Sequence, residues 1–347
     1  MMKQELPPIL CYEPPKLISR LEELGIHGFK AKEVLKWLFE QREWNPMNWS
    51  TLSKDERALI QESFDFQPLQ VEAVQESKDG TKKILFQLQD GRYVESVLIP
   101  DRKRLTLCIS SQVGCPVGCT FCASGLFGLT RNLKTHEILG EYLFASLLVK
   151  RPITNLVVMG MGEPFLNFSN VMKALEILNH PEGFRFGIRR MTLSTVGIQK
   201  ILPRLLEAKL HPRLAISLHA PEDELRKKLI PFPGLCSVQE LIDFLEEYLE
   251  KRLSRVTLEY VMLGGENTGP KMAHILGKRF SHLPLRVNLI PYNPVSEFSH
   301  REPTEQELRR FAMILEGYRL RTTIRHRKGE DIQGACGQLR LKKIQSS

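Results

Sequence analysis

Apolar residues recur at helical spacing over residues 17–24, 31–39 and 52–64, with polar or proline-containing breaks between them, which predicts three short helices. From residue 71 the period falls to two. Residues 83–88 and 93–99 alternate on either side of Asp90-Gly91, a hairpin signature, so the helical module ends in a β-ribbon. Beyond residue 101 β-branched and aliphatic runs of strand length are each followed by a helix-length amphipathic segment. The predicted strands are 105–110, 155–160, 191–195, 214–219, 256–262 and 287–291, with 322–325 as a further candidate. The predicted helices are 135–148, 170–179, 197–208, 238–251, 271–280 and 304–315. Such alternation predicts an α/β fold around a mainly parallel sheet, either doubly wound and open or a partial barrel. In both, functional groups collect at the carboxyl ends of the strands. The expected division is a helical and ribbon module over 1–100, a core over 101–331 and a C-terminal segment over 332–347.

Composition narrows this picture. With 42% hydrophobic and 26% charged residues in 347, the chain can bury a large core, and a disordered or low-complexity reading has no support. The longest uncharged apolar stretch, 142–149, is far short of the about 18 residues of a membrane helix, and residues 1–16 lack a signal-peptide core. A cytosolic protein is expected. All three tryptophans, Trp37, Trp44 and Trp49, fall in the helical module, where packing anchors are needed. The net charge of +9 is unevenly spread: residues 1–100 carry 13 basic and 16 acidic residues, leaving the later segment at +12. That excess suits a polyanionic partner such as RNA or DNA, with a solvated basic surface as the competing reading. Arg102-Lys-Arg104, Arg189-Arg190, Arg325-His-Arg-Lys328 and Arg340-Leu-Lys-Lys343 are the candidate phosphate contacts.

Seven cysteines without an export signal are expected to stay reduced, which favours metal binding or catalysis over crosslinking. Cys115-Pro-Val-Gly-Cys119-Thr-Phe-Cys122 follows the first core strand directly and places three thiols in one loop. Three soft ligands at this spacing suit three irons of a [4Fe–4S] cluster with the fourth left open. The competing reading is a closed zinc site with Cys108 as fourth ligand. The three-cysteine spacing, with an aromatic residue before the last cysteine, is also the signature of radical S-adenosylmethionine enzymes. Cys11 and Cys236 read as packing residues.

Seven segments in order resemble the RlmN family, radical S-adenosylmethionine adenine methyltransferases of rRNA and tRNA. They are Cys108-Ile-Ser-Ser-Gln-Val-Gly-Cys115, Arg131-Asn-Leu, Gly160-Met-Gly-Glu-Pro164, Thr192-Leu-Ser-Thr195, Ser217-Leu-His219, Asn288-Leu-Ile-Pro-Tyr-Asn293 and Ala335-Cys-Gly-Gln-Leu339. The resemblance implies a partial (β/α)6 barrel, one [4Fe–4S] cluster on Cys115, Cys119 and Cys122, and two molecules of S-adenosylmethionine per turnover. It implies contact of that cofactor with Gly162, Glu163, Ser194, Ser217, Leu218, His219 and Asn293. It also implies that Cys336 carries the methyl group, Glu95 accepts a proton from the base, and Cys108 resolves the adduct through a transient disulfide with Cys336. The implied partners are 23S rRNA, tRNA and an external electron donor, for a monomer with no membrane association. The rival enzyme reading is the Cfr type, which methylates carbon 8 of adenine and differs at the position of Pro164. A non-catalytic rival is a zinc-stabilised RNA-binding protein.

Overall fold

The computed structural model describes residues 6–251, 253–325 and 327–332. At the N-terminal end, α1 (Pro14–Glu23) starts on a proline, whose missing N–H costs nothing in the first turn, and buries Leu17 and Leu21 one helical turn apart. Helix α2 (Phe29–Leu35) runs into a wider, π-type turn over Lys36–Gln41 that stops at the left-handed Arg42. A reciprocal capping box starts α3 (Lys54–Ser63): the Glu56 N–H donates to Ser53 Oγ at 3.2 Å, and the Ser53 N–H donates to Glu56 Oε2 at 2.8 Å. Trp49 is fully buried and its indole N–H donates to the Glu43 carbonyl at 2.9 Å, while Trp37 and Trp44 pack partly buried on the same core.

Among the described residues ten strands form one sheet. Strands β1 (Leu69–Glu76), β2 (Lys82–Leu88), β3 (Tyr93–Asp101) and β4 (Arg104–Ile109) are joined antiparallel, with a bulge in β1 between Val71 and Ala73. From β4 the sheet continues in parallel through β7 (Asn155–Val158), β8 (Met191–Thr195), β9 (Arg213–Ser217), β10 (Val256–Met262), β11 (Arg286–Pro291) and β12 (Arg321–Ile324). Strands β5 (Gln112–Gly114) and β6 (Leu129–Asn132) make a separate small hairpin around the cysteine loop. Parallel neighbours require crossovers, which contain α4 (Thr135–Leu147), α5 (Phe168–Asn179), α6 (Asp223–Leu229), α7 (Val238–Glu250), α8 (Pro270–Phe280) and α9 (Glu305–Gly317). The sheet runs unbroken past residue 100, and its change from antiparallel to parallel pairing comes later, between β4 and β7.

Two expectations require correction. The helix expected over 197–208 is only a 3-10 turn, Leu202–Leu205. Its apolar spacing is helical, but Gly197 sits at φ +85° and Pro203 removes an amide donor. Helix α6, whose seven residues are mostly charged, escaped the periodicity. The edges of the sheet come together through the residues that follow β12. The Gly329 N–H donates to Asp79 Oδ2 at 3.1 Å and the Lys78 N–H donates to Asp331 Oδ2 at 3.0 Å, with Ser77 also bonded to Asp331. This clasp joins the β1–β2 turn to the segment that follows β12.

Candidate active site

A cavity of about 420 Å³ opens at the carboxyl ends of the parallel strands. Gly160 and Gly162 follow β7 and allow it to press on the end of β4. A Cβ on Gly160 would meet the Ile109 carbonyl oxygen at 2.7 Å, and one on Gly162, at φ +101°, would meet Gln112 Cβ at 2.6 Å. These glycines therefore serve the packing of the cavity wall. Glu163, next in the chain, is 3% exposed and lines the cavity. Its two oxygens accept the Phe165 N–H at 3.0 Å and the Val196 N–H at 2.9 Å, which holds the carboxyl in place with lone pairs to spare.

Burial pushes the Glu163 carboxyl up to about 7, against the backbone hydrogen bonds that favour the anion. Its folded value lies above the ordinary 4.5, so between pH 4.5 and 7 the folded state holds a proton that the unfolded state has lost. Stability of the cofactor-free protein should therefore fall across that window as pH rises, by about 3 kcal/mol from this group. Denaturant titrations of the parent and Glu163→Gln measure this; equal pH slopes for the two would remove Glu163 as the cause.

His219 ends the β9 loop in the left-handed region, at φ +57°. Its Nδ1 accepts the Val261 N–H at 3.0 Å, so Nε2 carries the proton. Burial pushes its pKa down to about 3, keeping the ring neutral. Phe121, the aromatic residue of the cysteine motif, meets this ring edge-on at 4.9 Å. Ser194 and Ser217, on neighbouring strands, stand 3.4 Å apart at their hydroxyls. Asn293 follows β11 and completes the same wall. Leu218 departs from the expected set: its side chain is fully buried in the core and is not in the cavity lining, and its backbone groups bond to the Glu259 carbonyl and to Arg226.

The loop with the three cysteines is folded by the β5–β6 hairpin, with Gly118 at φ +69° inside it. The Cys115 N–H donates to the Gly128 carbonyl and the Cys122 N–H to that of Cys119. His300 bonds to Thr120 through Nε2 at 3.1 Å and braces the loop from the far side. Burial pushes Cys115 up to about 12 and Cys119 well above its usual range, and the charges of neighbouring thiols add to both effects. Three thiolates crowded in this way need a cationic centre among them, so the donor set fits the expected [4Fe–4S] cluster. Among the described residues no group of His, Cys, Asp or Glu has the geometry to hold a single metal ion. A cubane makes a different demand, one thiolate per iron.

Cys108 lies on β4, lines the cavity and is directly opposite Val97 of β3, another lining residue. Glu95 is two residues from Val97 and so shares its face, while Ser96 points the other way and bonds to Glu141 of α4 at 2.5 Å. Glu95 is 2% exposed, just beyond the cavity wall. Cys336 lies outside the described residues, as do Arg340, Lys342 and Lys343. Sequence reasoning missed three groups. Buried Lys83 pairs with Val97 across the ribbon, on the face of Glu95. Glu259 lines the cavity with Oε1 bonded to Asn288 and Oε2 without a partner among the described residues, an acceptor that suits a polar ligand such as S-adenosylmethionine. Arg226, wholly buried beneath the site, donates to the carbonyls of Leu218, Cys236 and Val196. Lys83 and Glu259 each sit within a strand's apolar run, and that was their only signal.

The sequence profile of the Radical SAM superfamily matches residues 109–274. The protein of Thermotoga maritima named probable dual-specificity RNA methyltransferase RlmN is 42% identical over 338 residues, which cover 97% of this chain and 98% of that protein. The protein of the same name from Akkermansia muciniphila is 40% identical over 348 residues, covering 98% of this chain and 97% of its own. Among solved structures, a radical SAM methyltransferase from Sphaerobacter thermophilus superposes with a TM-score of 0.91 at 36% identity, over 96% of this chain and 98% of that one.

Proposed function

Because the chain belongs to the RlmN family of radical S-adenosylmethionine RNA methyltransferases, we propose that it methylates carbon 2 of an adenine in 23S rRNA and of the tRNA adenosine 3′ to the anticodon. The observation that carries this reading is the convergence of Cys108, the three loop cysteines and the carboxyl-end residues of β7, β8, β9 and β11 on one cavity. When bound, a [4Fe–4S] cluster and two molecules of S-adenosylmethionine supply a methyl group and a 5′-deoxyadenosyl radical, which a ring carbon that is no nucleophile requires.

Cys115, Cys119 and Cys122 would hold three irons of the cluster, and Gly162, Glu163, Ser194, Ser217, His219 and Asn293 would form the wall for S-adenosylmethionine. Leu218 contributes through its buried position alone. Cys336 carries the methyl-derived carbon as a thioether and joins it to carbon 2 of the adenine. Glu95 then takes the proton from that carbon. The Cys108 thiolate attacks the Cys336 sulfur, the sulfur–carbon bond breaks with its electron pair staying on the carbon, and that methylene carbon takes up a proton to become the methyl group of the product. The resulting disulfide consumes two thiols and is reduced by an external donor before the next cycle. The neutral His219 donates from Nε2 without competing for the proton.

The basic segment supports an RNA substrate, whose base must leave its stack to reach the cavity. The protein is read as a monomer in the cytoplasm; no helix among the described residues is long and apolar enough to cross a membrane. Mass spectrometry of nucleosides from rRNA and tRNA, with and without the active enzyme, tests the reading. Appearance of 2-methyladenosine in both is expected, and 8-methyladenosine as the sole product would move the chain to the Cfr type.

A further inference from the structure

Cys108, Ser217, Glu259 and Ile290 line the cavity and mark the inward faces of β4, β9, β10 and β11; Arg325, just beyond β12, does the same there. Side chains alternate along a strand, so stepping back by two reaches Thr106, Ala215, Thr257, Asn288 and Thr323, and a further two reach Arg104, Arg213, Arg255, Arg286 and Arg321. These strands are parallel, so all five arginines stand at one mouth of the barrel, opposite the site. Arg286 and Arg321 are register partners, and the Arg255 carbonyl accepts the Leu214 N–H beside Arg213.

Two observations confirm that the arginines converge. Strands β7 and β8 separate β4 from β9, which on a flat sheet puts Arg104 about 14 Å from Arg213. Yet burial and then the charges of Arg255, Arg104 and Arg286 lower the pKa of Arg213. Most of the inward row is also open to water: Thr106, Thr257 and Asn288 are partly exposed and Thr323 is exposed, with Ala215 buried, whereas Leu105, Leu107, Leu258 and Val287 on the helix-facing row are buried.

Among the described residues none of the five arginines makes a salt bridge, and the carboxylate nearest in register is exposed Asp101, opposite Arg104. Like charges on neighbouring strands cost stability, so an unneutralised ring of this kind is a standing demand for anions. All five are arginine, whose planar fork pairs with phosphate oxygens two at a time. Their spread over five strands matches a chain of phosphates better than one small ion.

We propose that this arginine ring binds backbone phosphates of the RNA substrate, at the far end of the barrel from the reacting base. The proposal rests on the family's action on RNA. It is tested with cluster-loaded enzyme and the combined variant Arg255→Ala, Arg286→Ala, Arg321→Ala. Binding is measured across salt concentrations for full-length tRNA and for a short single-stranded oligonucleotide carrying the reacting adenine. For tRNA, affinity should fall about 10- to 100-fold and the slope of log K against log salt should flatten by about 2, the counterions of three lost contacts. Affinity for the oligonucleotide and its rate of methylation at saturation should not change.

Because the repulsion is relieved, the variant should melt no lower than the parent at low salt, which guards against misfolding as the cause. An unchanged salt slope for tRNA would overturn the proposal. So would an equal loss for both RNAs, which would place the arginines in the general field of the catalytic mouth. Displacement of tRNA by millimolar tripolyphosphate from the parent but not from the variant supports a phosphate site. Displacement from both alike counts against it. If the parent methylated no RNA, the proposed reaction would fail while the binding comparison still decided the ring.

Discussion

Cys108→Ala should leave the enzyme attached to its RNA, because the base can still be joined to Cys336 but no thiol remains to take over the sulfur. Multiple turnover should fall by at least about 10³-fold, the scale on which a lost nucleophile acts. A species with the summed mass of protein and RNA should accumulate, stable to denaturant. Cys108 faces the cavity near the carboxyl end of β4 and is paired with Val97 and Val157, so alanine is tolerated structurally and the melting temperature should hold. Free methylated RNA released at the parental rate would remove Cys108 from the mechanism. Cys236→Ala is the control, since that thiol is buried beside α7 and is not in the cavity lining.

Arg226→Met should cause the largest loss of stability. Its guanidinium, pushed down to about 10 by burial, donates to three carbonyls: Val196 after β8, Leu218 after β9, and Cys236 at the entry to α7. Methionine fills the space but leaves the buried carbonyls of Val196 and Cys236 unmet, at about 1–3 kcal/mol each before relaxation, and the Leu218 carbonyl with only the Ala220 N–H. A total of about 3–5 kcal/mol and a fall in melting temperature of about 4–7 °C are expected. Both cavity loops depend on it, so binding of S-adenosylmethionine should weaken together with stability. Arg226→Lys should recover only part, because its three N–H donors sit on one nitrogen and cannot span the carbonyls that Nε, Nη1 and Nη2 reach separately. A melting temperature within about 2 °C of the parent would show that water replaces the guanidinium.

Much of this architecture was legible because strands and motifs were marked by local chemistry. Residues 191–195 and 256–262 were bounded correctly by their β-branched runs, and the polar motifs lie at the carboxyl ends where an α/β sheet places its chemistry. Local pattern failed where function depends on topology. Arg213, Arg255, Arg286 and Arg321 are isolated in the sequence, so a search for basic runs passed over them, and only parallel strands of matched parity bring them together. Arg226 was hidden for a related reason: in a charged heptad with Lys227 and Lys228 it looks solvated, while the fold turns it inward. Residues 197–208 show the opposite error, correct apolar spacing on a backbone that Gly197 and Pro203 keep from winding.

The bulge in β1 has a bearing on solubility. Among the described residues the ten-stranded sheet ends at β1 and β12; the clasp ties the β1–β2 turn to the residues after β12 without pairing the two strands, so each remains a template for strands of another molecule. Strand β1 exposes Val71 and Val74, the kind of surface that would recruit a second copy. The register slip between Val71 and Ala73 bends that edge where Glu72 interrupts the apolar positions, and β12 is only four residues long and starts with Arg321. Straightening the bulge by deleting Glu72 would lay a flat, sticky border along the sheet, and the molecule would be lost to aggregates before its chemistry was impaired.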